Sequence, residues 1–337
     1  MRRLRFLVSI LVVSLFLSSC SGALGTPSGS VPSSEVPTLD ESAASSTTKR
    51  TLPTPTPEVI RVFSESLTDK ERESITIGLL SPEHEYYEGA VADDPQIVEY
   101  LTEISIYDEE IDDEFIIHVA LPSNYSIEKS YPTIVMTDGI WRLYDIITLR
   151  GMMENREIED LILVSIGYPN GYDYETIRER DFTDDPESFL HFIVDNLVPY
   201  LAENYPIDTS RLTLTGHSLG GYFAFYSLFN SDHIGKGVFT NYVAASPWLQ
   251  AMTGLKNMDT FEKEYFERNQ TLPASMYVTA GGLESAGYRA RISNLCATVT
   301  ARGYEGLWLT YEDIEGESHN SVFGPTVTDA LRFFYGT

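Results

Sequence analysis

The fold of this chain is decided by one short stretch, Gly216-His217-Ser218-Leu219-Gly220-Gly221. A strand-like run, residues 211–215, comes before it, and a helix-like run, residues 222–230, follows it. In a sharp strand-to-helix turn a serine adopts a strained backbone that lifts its hydroxyl above the sheet, and small flanking glycines let strand and helix pass closely. The stretch therefore predicts Ser218 as an exposed nucleophile at the edge of a sheet.

Two further parts of the chain lie where such a nucleophile needs them. Upstream, residues 133–136 indicate a buried strand that runs into Asp138-Gly139, and downstream His319 lies in a loop near the C-terminus. In α/β-hydrolases the order along the chain is serine, acid, histidine, and a loop after an early strand supplies part of the oxyanion hole. Both parts occur here in that order.

These residues resemble an esterase family of the α/β-hydrolases that includes siderophore (enterobactin-type) esterases, feruloyl esterases, S-formylglutathione hydrolase and mycolyltransferases. The resemblance runs from about Leu101 to Phe334. It rests on Leu121-Pro122, Asn124-Tyr125, Tyr131-Pro132, Asp138-Gly139, Val164 to Tyr168, Arg180 to Thr183, the Gly216–Gly221 turn, Ser246-Pro247-Trp248 and Gly316 to His319. The turn and an Arg-x-Arg-Asp segment before a long predicted helix favour the siderophore-esterase branch. The resemblance implies an α/β-hydrolase fold, with a mostly parallel central sheet and helices on both faces.

A serine hydroxyl is a weak nucleophile at neutral pH, so a histidine must accept its proton and a third group must fix that histidine's tautomer. His319 is the predicted base, because the loop carrying it follows a strand, residues 307–311, and reaches the same sheet edge. Glu284 is the favoured acid, with Asp313 and Glu315 as rivals. A serine–histidine pair without an acid also remains open.

The oxyanion hole requires two backbone N–H groups directed at the developing negative oxygen. Leu219 supplies one by its position after the nucleophile, and by resemblance Ile140 supplies the other. Three aromatic residues on loops at this edge, Trp141, Tyr168 and Trp248, are candidates for a substrate pocket, although packing explains each of them equally well.

The N-terminus predicts export. Three early arginines precede an apolar run, residues 6–17, as in a secretory signal, and Leu17-Ser18-Ser19-Cys20 resembles the lipobox of bacterial lipoproteins. We therefore expect residues 1–19 to be a signal peptide and Cys20 to carry lipid. An ordinary signal peptide and an uncleaved anchor are the alternatives.

The remainder of the chain divides by composition. Residues 20–58 are rich in Ser, Thr and Pro and poor in large apolar residues, which predicts an unfolded tether. Residues 59–100 receive no assignment, and residues 101–337 form the predicted hydrolase domain. With Cys20 lipidated, Cys296 has no disulfide partner, and it lies on an apolar helical stripe, which predicts burial.

Charge and motifs restrict the partners. Among 337 residues the formal net charge is -27, which argues against binding nucleic acid or docking electrostatically on anionic lipid. The sequence has no metal-ligand spacing, phosphate loop or dinucleotide fingerprint, so we predict no metal and no cofactor. The predicted function is hydrolysis of a carboxylic ester through an acyl-enzyme, with a siderophore or related small ester as substrate. The alternatives are a feruloyl or acetyl esterase acting on polysaccharide and a lipoprotein that binds a ligand without turnover.

Overall fold

The computed structural model describes residues 58–60, 77–95, 97–250 and 256–337. The predicted signal peptide, Cys20 and most of the predicted tether lie outside the described residues. No helix in the described ranges is long and apolar enough to cross a membrane.

The described residues form one nine-stranded sheet. Its strands are β1 (Glu58–Ile60), β2 (Leu101–Asp108), β3 (Asp113–Ala120), β4 (Tyr131–Met136), β5 (Ile162–Gly167), β6 (Ile207–His217), β7 (Asn241–Ala245), β8 (Ser275–Gly281) and β9 (Trp308–Ile314). The order across the sheet is β1-β2-β3-β5-β4-β6-β7-β8-β9. Only β3 runs antiparallel to its neighbours, so the sheet is mostly parallel, as predicted.

Helices connect the strands. They are α1 (Gly89–Ala92), α2 (Ile97–Tyr100), α3 (Leu143–Glu154), α4 (Tyr174–Glu179), α5 (Pro186–His191), α6 (Val198–Asn204), α7 (Leu219–Phe229), α8 (Met258–Arg268), α9 (Ala286–Arg302) and α10 (Phe323–Tyr335). π-helical turns precede α5 and join it to α6, and a 3-10 turn, Gly139–Trp141, precedes α3. The long helix predicted before β6 is therefore present as the continuous run from α5 to α6.

Both faces of the sheet are buried, and the side chains of β4 illustrate this. In β4, Val135 belongs to one apolar cluster, whereas Ile134 and Met136 belong to the other. Because successive side chains of a strand point to opposite faces, β4 has helices on both sides. The first cluster includes most residues of α7, which is buried on all sides, and the second includes the buried residues of α3 and most of those of α10.

The predicted N-terminal boundary of the hydrolase domain, at residue 101, is wrong. β1 extends the sheet by pairing with β2, Leu79 is buried in the first apolar cluster and Ile97 in the second. The His84 ring also hydrogen-bonds the Tyr168 carbonyl at 3.1 Å. The described part of residues 59–100 is therefore part of the hydrolase domain, although its composition gave no sign of this.

Candidate active site

The turn after β6 has the geometry that its glycines predict. Ser218 has φ 56° and ψ -114°, a conformation that costs a side-chain-bearing residue roughly 1–3 kcal/mol. A Cβ on Gly216 would lie 2.1 Å from the Gly220 carbonyl oxygen, and one on Gly220 would lie 2.4 Å from Thr137 Oγ1. Only glycine permits these two approaches, so β6 and α7 meet in a turn that holds Ser218 rigidly.

Three predicted residues from three separate loops lie in contact. His319 Nε2 is 3.0 Å from Ser218 Oγ, and His319 Nδ1 is 2.7 Å from Glu284 Oε1. Since a carboxylate accepts only, Nδ1 carries the proton and Nε2 is free to accept the serine hydroxyl proton. The Glu284 side chain is 7% exposed, so the histidine's partner is largely screened from water.

Asp313, the rival acid, does not contact His319. Its carboxylate is held by Arg289 and accepts a hydrogen bond from the Tyr311 hydroxyl. It lies within β9, whereas Glu284 follows β8 in the loop that faces His319. The structure thus places Glu284, and not Asp313, beside the histidine.

A residue missed by the sequence analysis fixes Glu284. Ser246, fully buried and with φ 40°, donates its hydroxyl hydrogen to Glu284 Oε2. The Gly281 N–H donates to the same carboxylate oxygen at 2.7 Å, and the Tyr288 hydroxyl donates to the Ser246 carbonyl at 2.8 Å. The Ser246-Pro247-Trp248 segment carries part of the family resemblance, but nothing in the sequence indicates this contact.

His217 is the second histidine of the site. Its Nε2–H donates to the His319 carbonyl at 2.6 Å. Burial, followed by the nearby His319 and Arg142, lowers the pKa of His217 to about 3. His217 is therefore neutral at ordinary pH and braces the His319 loop.

The loop after β4 carries Ile140, the predicted second oxyanion donor. Ile140 lies in the 3-10 turn and Leu219 is the first residue of α7, and N–H groups at such starts have no acceptor within the turn. Asp138 anchors this loop with φ 63° and accepts two hydrogen bonds from Arg178 and one from Tyr174. Burial alone would raise the pKa of Asp138, but the adjacent Arg178 holds it below its usual value.

A cleft of about 590 Å³ adjoins these loops. Its lining is Trp141, Arg142, Asp145, His217, Asn320, Ser321, Phe323 and Gly324. Trp141 is 42% exposed and packs edge-on against Tyr174, so part of its ring faces the cleft, and its role in substrate binding stays a prediction.

The other two aromatic candidates lie differently. Tyr168 is only 3% exposed and donates its hydroxyl hydrogen to Asp181 at 2.8 Å, so its assignment to substrate binding is wrong. Trp248 is half-buried, and its backbone N–H donates to the Ser218 carbonyl at 2.8 Å. Its indole Nε1 is buried without a partner among the described residues.

Cys296 is buried in α9, as predicted.

Comparison with known proteins decides the family. A model of the family described as "Putative esterase" matches residues 109–322, which is more than half of the chain. The chain belongs to this esterase family. The family description and the name of the esterase relative reported below, together with the contacts of Ser218, His319 and Glu284, make the protein a serine hydrolase of carboxylic esters.

Several relatives of this esterase have names or structures. The ferri-bacillibactin esterase BesA of Bacillus subtilis strain 168 is 27% identical over 248 residues, covering 64% of this chain and 83% of that one. The crystal structure of the BES protein from Bacillus cereus gives a TM-score of 0.62 at 23% identity, covering 71% and 97% of the two chains. The siderophore hydrolase EstA from Aspergillus nidulans gives 0.59 at 20% identity, covering 71% and 95%. The two structures support the fold alone.

Proposed function

We propose that this esterase hydrolyses the ester bonds of a siderophore, with Ser218 as nucleophile, His319 as base and Glu284 as the group that orients His319. The observation that carries the catalytic assignment is the continuous contact from Ser218 Oγ through both ring nitrogens of His319 to Glu284. The siderophore assignment is supported by the 27% identity to BesA, whose name specifies a ferric siderophore ester.

The geometry supports a two-step reaction. His319 Nε2 takes the Ser218 hydroxyl proton as the oxygen attacks the ester carbonyl, and the N–H groups of Leu219 and Ile140 bind the oxyanion. His319⁺ returns the proton to the departing alkoxide, which leaves as an alcohol. Water then attacks the acyl-Ser218 ester as His319 takes one of its protons, and His319⁺ returns that proton to the departing Ser218 Oγ, which releases the acid and restores the enzyme.

A second substrate class is favoured by one observation. Trp141 offers an exposed aromatic ring at the cleft, which suits an aryl acyl group such as feruloyl. Comparing hydroxycinnamate esters with ester siderophores under the same conditions separates the two classes by kcat/KM.

The mechanism is tested by fluorophosphonate labelling and ester hydrolysis. We expect wild-type protein to be labelled and active, and Ser218→Ala to be unlabelled and inactive with unchanged melting. Ser210→Ala is the matched control, because Ser210 lies near the other end of β6 and its hydroxyl donates to the nearby Asp208 carboxylate, away from the site. An active Ser218→Ala variant rejects the mechanism, and an unlabelled wild-type protein with bound ligand supports the non-catalytic lipoprotein instead.

For location, we propose an extracytoplasmic enzyme anchored by lipid on Cys20. The support is the sequence pattern alone: a basic and apolar leader, the lipobox-like Leu17–Cys20 and a Ser/Thr/Pro-rich stretch after it. A single acyl chain binds membranes only marginally whereas two anchor stably, and a lipobox cysteine carries at least two. Metabolic labelling with radioactive palmitate tests this: wild-type protein should incorporate label, and Cys20→Ser should not.

A further inference from the structure

The described residues leave almost no positive charge free to meet an anionic ligand. They include fifteen lysines and arginines, and fourteen of these have a carboxylate oxygen within 4.0 Å. The fourteen are Lys129, Arg142, Arg150, Arg178, Arg180, Arg211, Lys236, Lys256, Lys263, Arg268, Arg289, Arg291, Arg302 and Arg332. The exception, Arg156, lies past the C-terminal end of α3, about 18 Å along that helix from the cleft.

Two arginines beside the site follow this pattern: Arg142 lines the cleft, and Arg178 donates to the His217 carbonyl. Arg142 Nη1 lies 2.6 Å from Asp145 Oδ2, and its guanidinium stacks over the Phe323 ring at 3.6 Å. Arg178 is engaged through two nitrogens by the fully buried carboxylate of Asp138. Each arginine is therefore half of a neutral pair before any substrate enters.

A further carboxyl group lies behind this wall of the cleft. Glu88 has one oxygen, Oε2, that is buried and lacks a hydrogen-bond partner among the described residues. Burial, followed by the negative Asp145, raises the pKa of Glu88. In this part of the described structure, three carboxyl groups, those of Asp138, Asp145 and Glu88, therefore accompany two arginines, Arg142 and Arg178.

We propose that the cleft selects esters without net negative charge, and that Asp145 enforces this selection by neutralising Arg142. An anionic group entering the cleft loses hydration and finds no unpaired lysine or arginine there among the residues that the structure describes, so its transfer from water is unfavourable. Applied to the proposed siderophore substrate, on which this part rests, the cleft favours an uncharged ferric trihydroxamate ester over a strongly anionic ferric tricatecholate ester.

The test uses two esters that share a leaving group and nearly a shape. p-Nitrophenyl butyrate is uncharged, whereas the p-nitrophenyl hemiester of succinic acid carries a carboxylate at the end of its acyl chain. At low ionic strength we expect kcat/KM for the uncharged ester to exceed that for the anion by about tenfold or more. Added salt should raise the rate for the anion only, because it screens repulsion. Equal rates for both esters at low salt would overturn the proposal.

Two variants with the same change in charge locate the effect. Asp145→Asn leaves Arg142 without its carboxylate partner at the cleft. Glu157→Gln makes the same change in charge beyond the C-terminal end of α3, where it removes one of the two carboxylate partners of Arg332. We expect the preference for the uncharged ester to shrink severalfold in Asp145→Asn and to stay unchanged in Glu157→Gln. An equal change in both variants would reject Asp145 as the selecting group.

The chelates separate this proposal from the proposed function. If ferric trihydroxamate esters are cleaved faster than ferric tricatecholate esters, both proposals stand. If the tricatecholate is preferred, charge selection is rejected while the siderophore function holds. If neither chelate is cleaved but the p-nitrophenyl pair shows the expected ratio, the siderophore function is rejected and charge selection holds.

Discussion

Among single residues, Glu284 and Asp313 differ most clearly in what they contact. Only Glu284 contacts His319, whereas Asp313 is engaged by Arg289 and Tyr311. We expect Glu284→Gln to lower kcat by about 10³–10⁴-fold, because His319 then loses the partner that fixes its tautomer. Asp313→Asn, the matched control, should cost less than tenfold. The kcat values of the two variants, measured on the same p-nitrophenyl ester, identify the triad acid. Small losses of kcat in both variants would indicate a Ser218–His319 dyad.

Ser246 is predicted to act through Glu284 as a positioning residue. Ser246→Ala keeps the Cβ and the strained φ but removes the hydroxyl that donates to Glu284, so kcat should fall by about tenfold. A double-mutant cycle tests the route of the effect. In a Glu284→Gln background, Ser246→Ala should change kcat little further; a full tenfold loss in that background would mean that Ser246 acts through general packing.

His217 gives the protein a specific sensitivity to acid. Burial lowers its pKa to about 3 in the folded protein, whereas the unfolded chain binds the proton near the ordinary value of 6.5. Between those values the unfolded state binds more protons, so stability is lost as pH falls. At pH 5 the loss is about 2 kcal/mol. Urea unfolding at pH 7.5 and pH 5 should show a smaller drop for His217→Gln than for wild type, and equal drops would refute the assignment.

Among the elements, the β6–α7 turn depends on close backbone approach. Gly220→Ala places a Cβ 2.4 Å from Thr137 Oγ1 and 3.2 Å from Asp138 Oδ2, which pushes the oxyanion loop away from the turn. We expect a destabilisation of about 1–3 kcal/mol and a large loss of kcat. Gly287→Ala is the control, since that position lies in α9 with nothing within 4 Å of the new Cβ and should be neutral or slightly stabilising. Melting temperatures and kcat values of the two variants test this prediction, and equal values for both would contradict it.

For the whole molecule, the described residues before β2 are part of the hydrolase domain. A chain starting at Glu58 keeps β1 and the buried Leu79 and Ile97, so it should fold and hydrolyse small esters at close to the full-length rate. A chain starting at Leu101 loses these contacts and exposes the edge of β2, and it should aggregate or melt at a much lower temperature. Equal melting temperatures for the two chains would show that residues 58–100 contribute no stability.

The sequence by itself determined the fold class, the turn around Ser218 and the candidates His319 and Glu284. These are local features: strand periodicity, glycines that a turn requires, and the order of loops that a parallel sheet brings to one edge. Only the tertiary structure shows that Glu284, and not Asp313, contacts His319. It also shows that Tyr168 is buried in the core and that the Ser246 hydroxyl donates to Glu284.

Tertiary structure also decided how the charges are distributed. Arg178 and Asp138 are 40 residues apart, and Ser246 and Glu284 are 38 apart. Contacts over such separations depend on which strands become neighbours and on how each loop leaves its strand, and no local pattern encodes them. Composition revealed the excess of acid, but only the folded chain shows that nearly every described cation is already paired.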